Sequence, residues 1–143
     1  MVDRALPVSL GAKQRAFTRM VGQLIAWAYA HGYELTFGEA WRTDEQAEIN
    51  AMGNNGRERF AAYIDRLFPV LAYKIRNNTG NGTRTSLHMD RLAVDFNLFK
   101  GGVYLQTTED YRPLGEVWEA MGGTWGGRFG DAPHFSLPHE GRK

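Results

Sequence analysis

The apolar run at residues 92–98 (LAVDFNL) contains a carboxylate, Asp95, between Val94 and Phe96. A run of this length with β-branched and aromatic residues is typical of a buried strand. An unpaired carboxylate is costly to bury in such a strand, so Asp95 needs a cation beside it. Arg91 is one candidate partner, and a bound metal ion is the other. The fold must therefore bring a cation to the middle of this strand.

The other elements indicate helices packed on a small antiparallel sheet. Apolar periodicity predicts helices at 9–30, from 43 to about 53, at 57–67 and at 108–121, and strands at 33–40, 92–98, 103–105 and 134–137. Ser9 is expected to cap the first helix, and Gly32 to end it. Residues 77–85 are polar and glycine-rich, which predicts a mobile loop. We expect an α+β fold in a single domain spanning 1–143.

The stretch after the first predicted strand carries a helix-start signal. Thr43 is a predicted N-cap, and Gln46 stands three residues later, as in a capping box. This helix is expected to fade in the glycine-containing stretch 53–56. The helix at 57–67 would place three apolar side chains on one side: Phe60, Ile64 and Leu67.

Composition restricts the partners and the location of the chain. The net charge is +1 and there is no long Lys/Arg run, which argues against nucleic-acid binding. No segment approaches the roughly 20 apolar residues that span a bilayer, so stable membrane insertion is not expected. The N-terminus lacks the apolar core of a signal peptide. We expect a monomer that is made and kept in the cytoplasm unless another agent releases it.

The four histidines limit the choice of metal ligands, because the chain has no cysteine. His88 lies seven residues before Asp95, and His134 lies on a predicted strand that could pair beside 92–98. Two imidazoles and a carboxylate suit zinc and leave a fourth position open for water. His31 follows a helix end and is expected to be structural. His139 is a spare ligand candidate.

Two charged residues are candidates for catalysis. Asp131, three residues before His134, could accept a proton from a zinc-bound water and return it to a leaving amine; alternatively, it only forms a turn after Gly130. Arg42 could pair with a substrate carboxylate or polarise a scissile carbonyl. Its alternative is a surface salt bridge with the acidic residues at 44 and 45.

Two further sites are candidates for substrate binding. Ser86 could donate a hydrogen bond to substrate, and an ordinary loop serine is the equally good alternative. Trp125 opens the segment 125–129 (WGGRF), whose glycines permit close backbone approach and which could form a cleft wall. Its aromatic residues could equally belong to the core.

These elements, in this order, resemble the M15 peptidase family of D-alanyl-D-alanine carboxypeptidases and endolysins. The matching motifs are Ser86-Leu87-His88 followed after six residues by Asp95, Asp131-x-x-His134, Trp41-Arg42-Thr43 with Gln46, and Trp125-Gly126-Gly127. The resemblance as a whole runs from about residue 33 to residue 135. One departure is Arg91, where many members have glycine. The version at 86–99 is similar to a phage-type branch whose members are often lysis enzymes and usually depend on a holin.

The resemblance implies a hedgehog/D,D-peptidase-like fold and a zinc peptidase that cuts the peptidoglycan stem peptide. His88, Asp95 and His134 would bind zinc, Asp131 would be the general base, and Arg42 would contact substrate. A phage-type L-alanyl-D-glutamate endopeptidase is the favoured activity. A D-alanyl-D-alanine carboxypeptidase, with Arg42 as a carboxylate clamp, is the alternative within the enzyme class. A zinc-stabilised binding module without catalysis is the alternative outside it, and it would not need Asp131.

Overall fold

Helix α1 (Leu10–Ala30) opens the part of the chain that this computed structural model describes, residues 9–78 and 86–143. The Ser9 side chain accepts a hydrogen bond from the Ala12 N–H at 3.3 Å, as an N-cap does. The helix is followed by Gly32, which has a φ of 82°. Its buried face consists of Phe17, Met20, Leu24 and Ala28. The predicted bounds and cap are confirmed.

A five-stranded sheet lies against this helix, and all its pairings are antiparallel. The strands are β1 (Tyr33–Glu39), β2 (Ala93–Lys100), β3 (Val103–Leu105), β4 (Thr124–Trp125) and β5 (His134–Ser136). The order is β1-β2-β5-β4, and β3 also pairs with β2. Strand β2 is therefore central: one edge pairs with β1, and the other is shared by β3 and β5.

Helix α5 (Thr108–Ala120) covers the core together with α1. It begins with a complete capping box, in which the Thr107 side chain and the Asp110 side chain each accept a hydrogen bond from the other's backbone N–H. The largest buried side chains include Tyr111 and Trp118 from this helix, and Phe96 and Phe135 from the sheet. Helices packed on a small antiparallel sheet make this an α+β fold, as predicted.

Three helices follow β1 before the chain reaches β2: α2 (Asp44–Ala51), α3 (Gly53–Ile64) and α4 (Pro69–Arg76). Thr43 caps α2 as predicted, but the Gln46 side chain donates to Asn50 and does not complete a capping box. Helix α2 ends close to the predicted position, but α3 begins at Gly53 and not at 57, so it already includes residues 53–56. Gly53 has a φ of 69°, a left-handed conformation that interrupts the helical path after α2 and lets α3 begin at once.

The predictions for the stretch that contains α3 and α4 need two further corrections. Helix α4 was not predicted, although its proline occupies a position that helices tolerate in their first turn. The side predicted to be apolar is buried only at Ile64, because Phe60 and Leu67 are exposed. The loop predicted at 77–85 lies mostly outside the described residues. No described helix has the length and apolar character that crossing a membrane requires.

Candidate metal centre

Strand pairing brings Asp95 and His134 together. The predicted pairing of these two strands is confirmed, and its register sets the two residues directly opposite each other. His88 comes from the turn before β2, which is closed by a hydrogen bond from the Leu92 N–H to the Leu87 carbonyl. Asp95 Oδ1 lies 3.3 Å from His88 Nε2 and 3.3 Å from His134 Nδ1.

The geometry of this cluster fits a tetrahedral zinc ion. Two ligand atoms that each lie about 2.0–2.1 Å from one ion are about 3.3 Å apart at a tetrahedral angle. The ligand atoms of the three side chains lie within 4.8 Å of one another, and Asp95 Oδ1 is buried with no hydrogen-bond partner in the described part of the chain. The site thus combines a buried carboxylate oxygen close to two imidazole nitrogens with a donor set that zinc prefers.

Packing holds the two imidazole rings in place. His88 and His134 are 3% and 7% exposed, and their ring centroids lie 5.3 Å apart. Among residues 9–78 and 86–143, the second ring nitrogens (His88 Nδ1 and His134 Nε2) are buried without a hydrogen-bond partner. The Phe129 ring packs against His134 with a centroid distance of 6.0 Å. Contacts with neighbouring rings therefore orient the two imidazoles, a task that hydrogen bonds commonly perform at zinc sites.

Asp95 is held in its ionised form. Burial alone would raise the pKa of its carboxyl group, but the imidazoles of His134 and His88 lower that pKa well below its usual range. Arg91, the alternative cation for Asp95, is engaged elsewhere: its guanidinium carbon lies 4.7 Å from the centre of the Trp41 ring. Arg91 therefore does not supply the cation that Asp95 requires. The remaining candidate is a metal ion held by Asp95 together with the two histidines.

Arg42 is buried next to the cluster and is held by Glu39. Its Nε and Nη2 donate to the two carboxylate oxygens of Glu39 at 2.6 and 2.8 Å. Its pKa is raised by the hydrogen bond to Glu39, against the effect of burial, and also by the charges of Glu39 and Asp95. The partner of Arg42 therefore precedes it in the chain, whereas the salt-bridge alternative placed the partner after it.

A glycine lets β1 approach the site. The register of β1 on β2 shifts between Phe37 and Glu39, which leaves Gly38 in an irregular position and Glu39 opposite Asp95. A Cβ atom on Gly38 would lie 3.3 Å from the carbonyl oxygen of Asp95. No sequence pattern pointed to Glu39. The only signal was its spacing of three residues from Arg42, which is common among surface ion pairs.

Backbone hydrogen bonds join the Arg42 segment to the turn that carries His88. The carbonyl of His88 accepts from the N–H groups of both Arg42 and Arg91, at 3.2 and 3.3 Å. The Ser86 hydroxyl oxygen accepts from the N–H of His88 at 3.2 Å. Arg91 itself has a φ of 57°, a left-handed conformation that glycine adopts without strain. Hydrogen bonds therefore hold the segment 41–42 against the turn 86–91.

Asp131 lies at the edge of the cluster and is half exposed. Its Oδ2 is 4.0 Å from His134 Nδ1. Burial raises its pKa, and so does the charge of Asp95, while His134 and His88 act in the opposite direction; the net pKa is raised. Its N–H donates to the Gly126 carbonyl at 2.8 Å and its carbonyl accepts from the N–H of His134 at 3.1 Å. A carboxyl group with a raised pKa in this position is suited to accepting a proton.

Trp125 does not line a cleft. Its side chain is fully buried, and a Cβ on Gly115 or Gly127 would collide with its ring. The indole N–H donates to the Ala132 carbonyl at 2.8 Å, which supports the turn between Asp131 and His134. This burial corrects the expectation that Trp125 forms a cleft wall.

The two remaining histidines lie outside the cluster. His31 stacks on Trp27 with a centroid distance of 4.0 Å, in keeping with its expected structural role. His139 Nδ1 lies 3.1 Å from the amino group of Lys13. His139 is therefore not a fourth member of the cluster.

Two buried imidazoles and a carboxylate, with a second carboxylate and a buried arginine beside them, are a set of groups typical of zinc-dependent hydrolases. Residues 79–137, which contain the three candidate ligands and Asp131, match the model of an M15 peptidase family described as D-alanyl-D-alanine carboxypeptidase. Over these residues, which are less than half of the chain, the protein is similar to the M15 peptidases.

Three solved peptidase structures also align with the chain. One is the zinc complex of the D,D-pentapeptidase VanY (E175A mutant) from a VanB-type resistance cassette, with 19% identity, a TM-score of 0.49 and coverage of 85% of this chain and 70% of that one. Another is the L-Ala D-Glu endopeptidase ChiX of Serratia marcescens, with 17% identity, a TM-score of 0.49 and coverage of 95% and 90%. VanYB in complex with D-alanine-D-alanine aligns with 20% identity, a TM-score of 0.49 and coverage of 85% and 68%. No curated protein sequence matches the chain.

Proposed function

We propose that this chain hydrolyses a peptide bond in the peptidoglycan stem peptide, with zinc bound by His88, Asp95 and His134. The observation that carries the proposal is the buried Asp95 Oδ1, which lies 3.3 Å from a nitrogen of each histidine and has no hydrogen-bond partner in the described residues. The M15 match over 79–137 supports the substrate class. A zinc ion at this position would lower the pKa of water and polarise the scissile carbonyl.

Asp131 is the proposed general base. Its raised pKa favours retention of a proton once one is taken up, and its carboxylate lies 4.0 Å from His134 Nδ1. Asp131 takes a proton from the attacking water while the oxygen of that water bonds to the carbonyl carbon. The C–N bond then breaks, and Asp131 gives the proton to the leaving amine. The products are one carboxylate and one amine.

Arg42 and Ser86 are the proposed contacts to substrate. Glu39 occupies Nε and Nη2 of Arg42, which leaves Nη1 to donate to a substrate oxygen. The Ser86 oxygen already accepts a hydrogen bond from the His88 N–H, so its hydroxyl proton remains available for donation. For Trp125 we propose a supporting role, because its buried indole holds the turn that carries Asp131.

The state of Arg42 favours an L-alanyl-D-glutamate endopeptidase over a carboxypeptidase. A carboxypeptidase must bind the terminal carboxylate of its substrate, and an unpaired guanidinium is the group suited to that task. Here Glu39 already neutralises Arg42 with two short hydrogen bonds. Such a paired arginine can polarise a carbonyl, but it attracts a free carboxylate weakly. Mass spectrometry of digested cell wall separates the two activities, since one releases L-alanine carboxyl termini and the other releases D-alanine.

Loss of turbidity of outer-membrane-permeabilised bacteria tests the function. We expect lysis that chelator abolishes and added zinc restores. His134→Ala should lose both lysis and bound zinc, whereas His139→Ala, which removes an imidazole outside the cluster, should keep both. Full lysis and unchanged zinc content in His134→Ala would exclude the proposed site.

Asp131→Asn distinguishes a peptidase from a zinc-stabilised binding module. A peptidase should lose hydrolysis while it keeps zinc, because the amide cannot accept the proton. A variant that retains every measured function would favour the binding module, which has no use for a base.

We further propose that residues 1–143 form one peptidase domain that works as a monomer. Its place of action would be the cell wall after release, in the manner of a phage endolysin with a holin.

A further inference from the structure

The surface of α3, α4 and the turn between them is unusually apolar. Seven large side chains between residues 60 and 73 are 41–84% exposed: Phe60, Tyr63, Leu67, Phe68, Val70, Leu71 and Tyr73. Smaller residues fill the inside of the pair, where Ala61, Ile64, Ala72 and Ile75 form a separate small core. We call this exposed group the hairpin surface. A contiguous exposed apolar surface of this kind marks a site of association.

The same segment has a net positive charge, whereas the rest of the chain does not. Residues 58–76 contain four basic and two acidic side chains, a net charge of +2, whereas the whole chain carries +1 and the rest therefore carries −1. Arg76 contacts both acids, Glu58 at 3.1 Å and Asp65 at 3.8 Å. Arg59, Arg66 and Lys74 are exposed, and none of them has an ion-pair partner within the described residues.

The apolar and basic groups meet at the turn between the helices. Phe68, Val70 and Leu71 line one shallow concavity, and Lys74 borders it. Leu67, which is 74% exposed, and Arg66 precede the turn. The tip is thus an apolar protrusion with cationic groups beside it.

We propose that the hairpin surface docks this protein on an anionic lipid bilayer, with the tip in the boundary between headgroups and acyl chains. Apolar side chains at the level of the acyl chains and Lys/Arg at the level of the headgroups are the features of interfacial binding. A soluble polyanion would satisfy the cations but would leave the apolar side chains in water. A second copy would cover the apolar side chains but would bring two surfaces of charge +2 together.

This inference is separate from the peptidase activity, and vesicle sedimentation tests it. The full chain is mixed with phosphatidylcholine vesicles that contain or lack phosphatidylglycerol. We expect binding to the anionic vesicles and much weaker binding to the neutral ones. Arg66→Gln and Lys74→Gln should each weaken binding about fivefold, and more salt should weaken binding of the unaltered protein.

The apolar contribution is tested with Leu67→Ser/Val70→Ser. We expect vesicle binding to fall at least tenfold, because two large apolar side chains are removed from the tip. Val103→Ser is the matched control, since Val103 is 60% exposed on β3, away from the hairpin surface. It should bind as the unaltered protein does. Thermal unfolding followed by circular dichroism confirms that all variants fold.

Three results would overturn the proposal. The first is unchanged vesicle binding by the double variant. The second is equal binding to neutral and anionic vesicles. The third is an absence of vesicle binding together with either binding to a soluble polyanion such as polyphosphate or a dimer in sedimentation velocity that Leu67→Ser/Val70→Ser dissociates. A dimer of that kind would identify the hairpin surface as an interface between copies.

Discussion

At the scale of single residues, Glu39 has no role of its own in the proposed chemistry, but it sets the direction and the charge balance of Arg42. It binds Arg42 through two hydrogen bonds, and it lies opposite Asp95 across the β1–β2 pair. The buried guanidinium therefore has a fixed direction and a compensated charge. Removing that compensation would leave an unpaired cation beside the candidate metal centre, which is costly.

Glu39→Gln should lower activity about tenfold to a hundredfold, because a hydrogen bond between charged groups contributes about 1.5–3 kcal/mol. We expect the effect mainly in kcat, with zinc content unchanged, since the Glu39 side chain binds Arg42 and is not one of the candidate zinc ligands. Glu109→Gln is the control, because Glu109 forms a pair of the same spacing with Arg112 on the exposed face of α5. Equal kinetic constants in the two variants would contradict a positioning role.

Arg91 combines a strained backbone with a useful side chain. Its φ of 57° favours glycine, and its guanidinium packs on Trp41. Arg91→Ala keeps the strain and loses the contact, whereas Arg91→Gly loses both. We therefore expect Arg91→Gly to be more stable than Arg91→Ala by about 1 kcal/mol in urea unfolding. An alanine variant as stable as the glycine variant would show that strain at this position is negligible.

At the scale of elements, the grouping of the three candidate metal ligands was predictable and its surroundings were not. Asp95 in an apolar strand demanded a cation, and the predicted pairing of two strands placed His134 beside it. The position of Glu39 depends on the irregular pairing at Gly38, which leaves no periodic signal. The prediction of the buried face of α3 was also wrong, because apolar periodicity locates a buried face only where the large side chains point inward. Here small residues such as Ala61 fill the inside.

The turn before β5 depends on Gly126. A Cβ there would collide with the Asp131 carbonyl and lie 2.7 Å from the His134 Cβ. Gly126→Ala should therefore displace both residues, lower zinc content and activity, and cost about 1–3 kcal/mol of stability, as overpacking does. Gly22→Ala in α1, where no atom lies within 4 Å, should instead stabilise the protein by up to about 1 kcal/mol. Normal zinc content in Gly126→Ala would contradict the proposed constraint.

At the scale of the whole molecule, the fold joins its helix α5 to the central strand through a buried hydrogen bond. The Tyr111 hydroxyl donates to the Phe96 carbonyl at 2.7 Å, and Phe96 is adjacent to Asp95. Burial is the main cause that raises the pKa of Tyr111 to about 12. The folded protein therefore favours the neutral phenol more strongly than the unfolded chain does.

This shift predicts an alkaline limit to stability. Because the folded pKa is raised, its contribution is complete below about pH 10, the ordinary value for tyrosine, and is lost as pH rises towards 12. Tyr111→Phe should cost about 1 kcal/mol near neutral pH, where the hydrogen bond is lost, and should show a shallower loss of stability between pH 10 and 12. Urea unfolding at several pH values measures both effects. Parallel curves for the two proteins would contradict the assignment.

The direct pairing of Asp95 with His134 has a consequence for the order of folding. The two residues are distant in the chain, and they meet only when β5 joins β2. Contacts between distant segments form late, because the intervening chain must first be closed into a loop. His88 and Asp95 alone provide too few donors to retain the ion firmly. Uptake of zinc would therefore report that the sheet has closed, so that incompletely folded molecules would remain both metal-free and inactive.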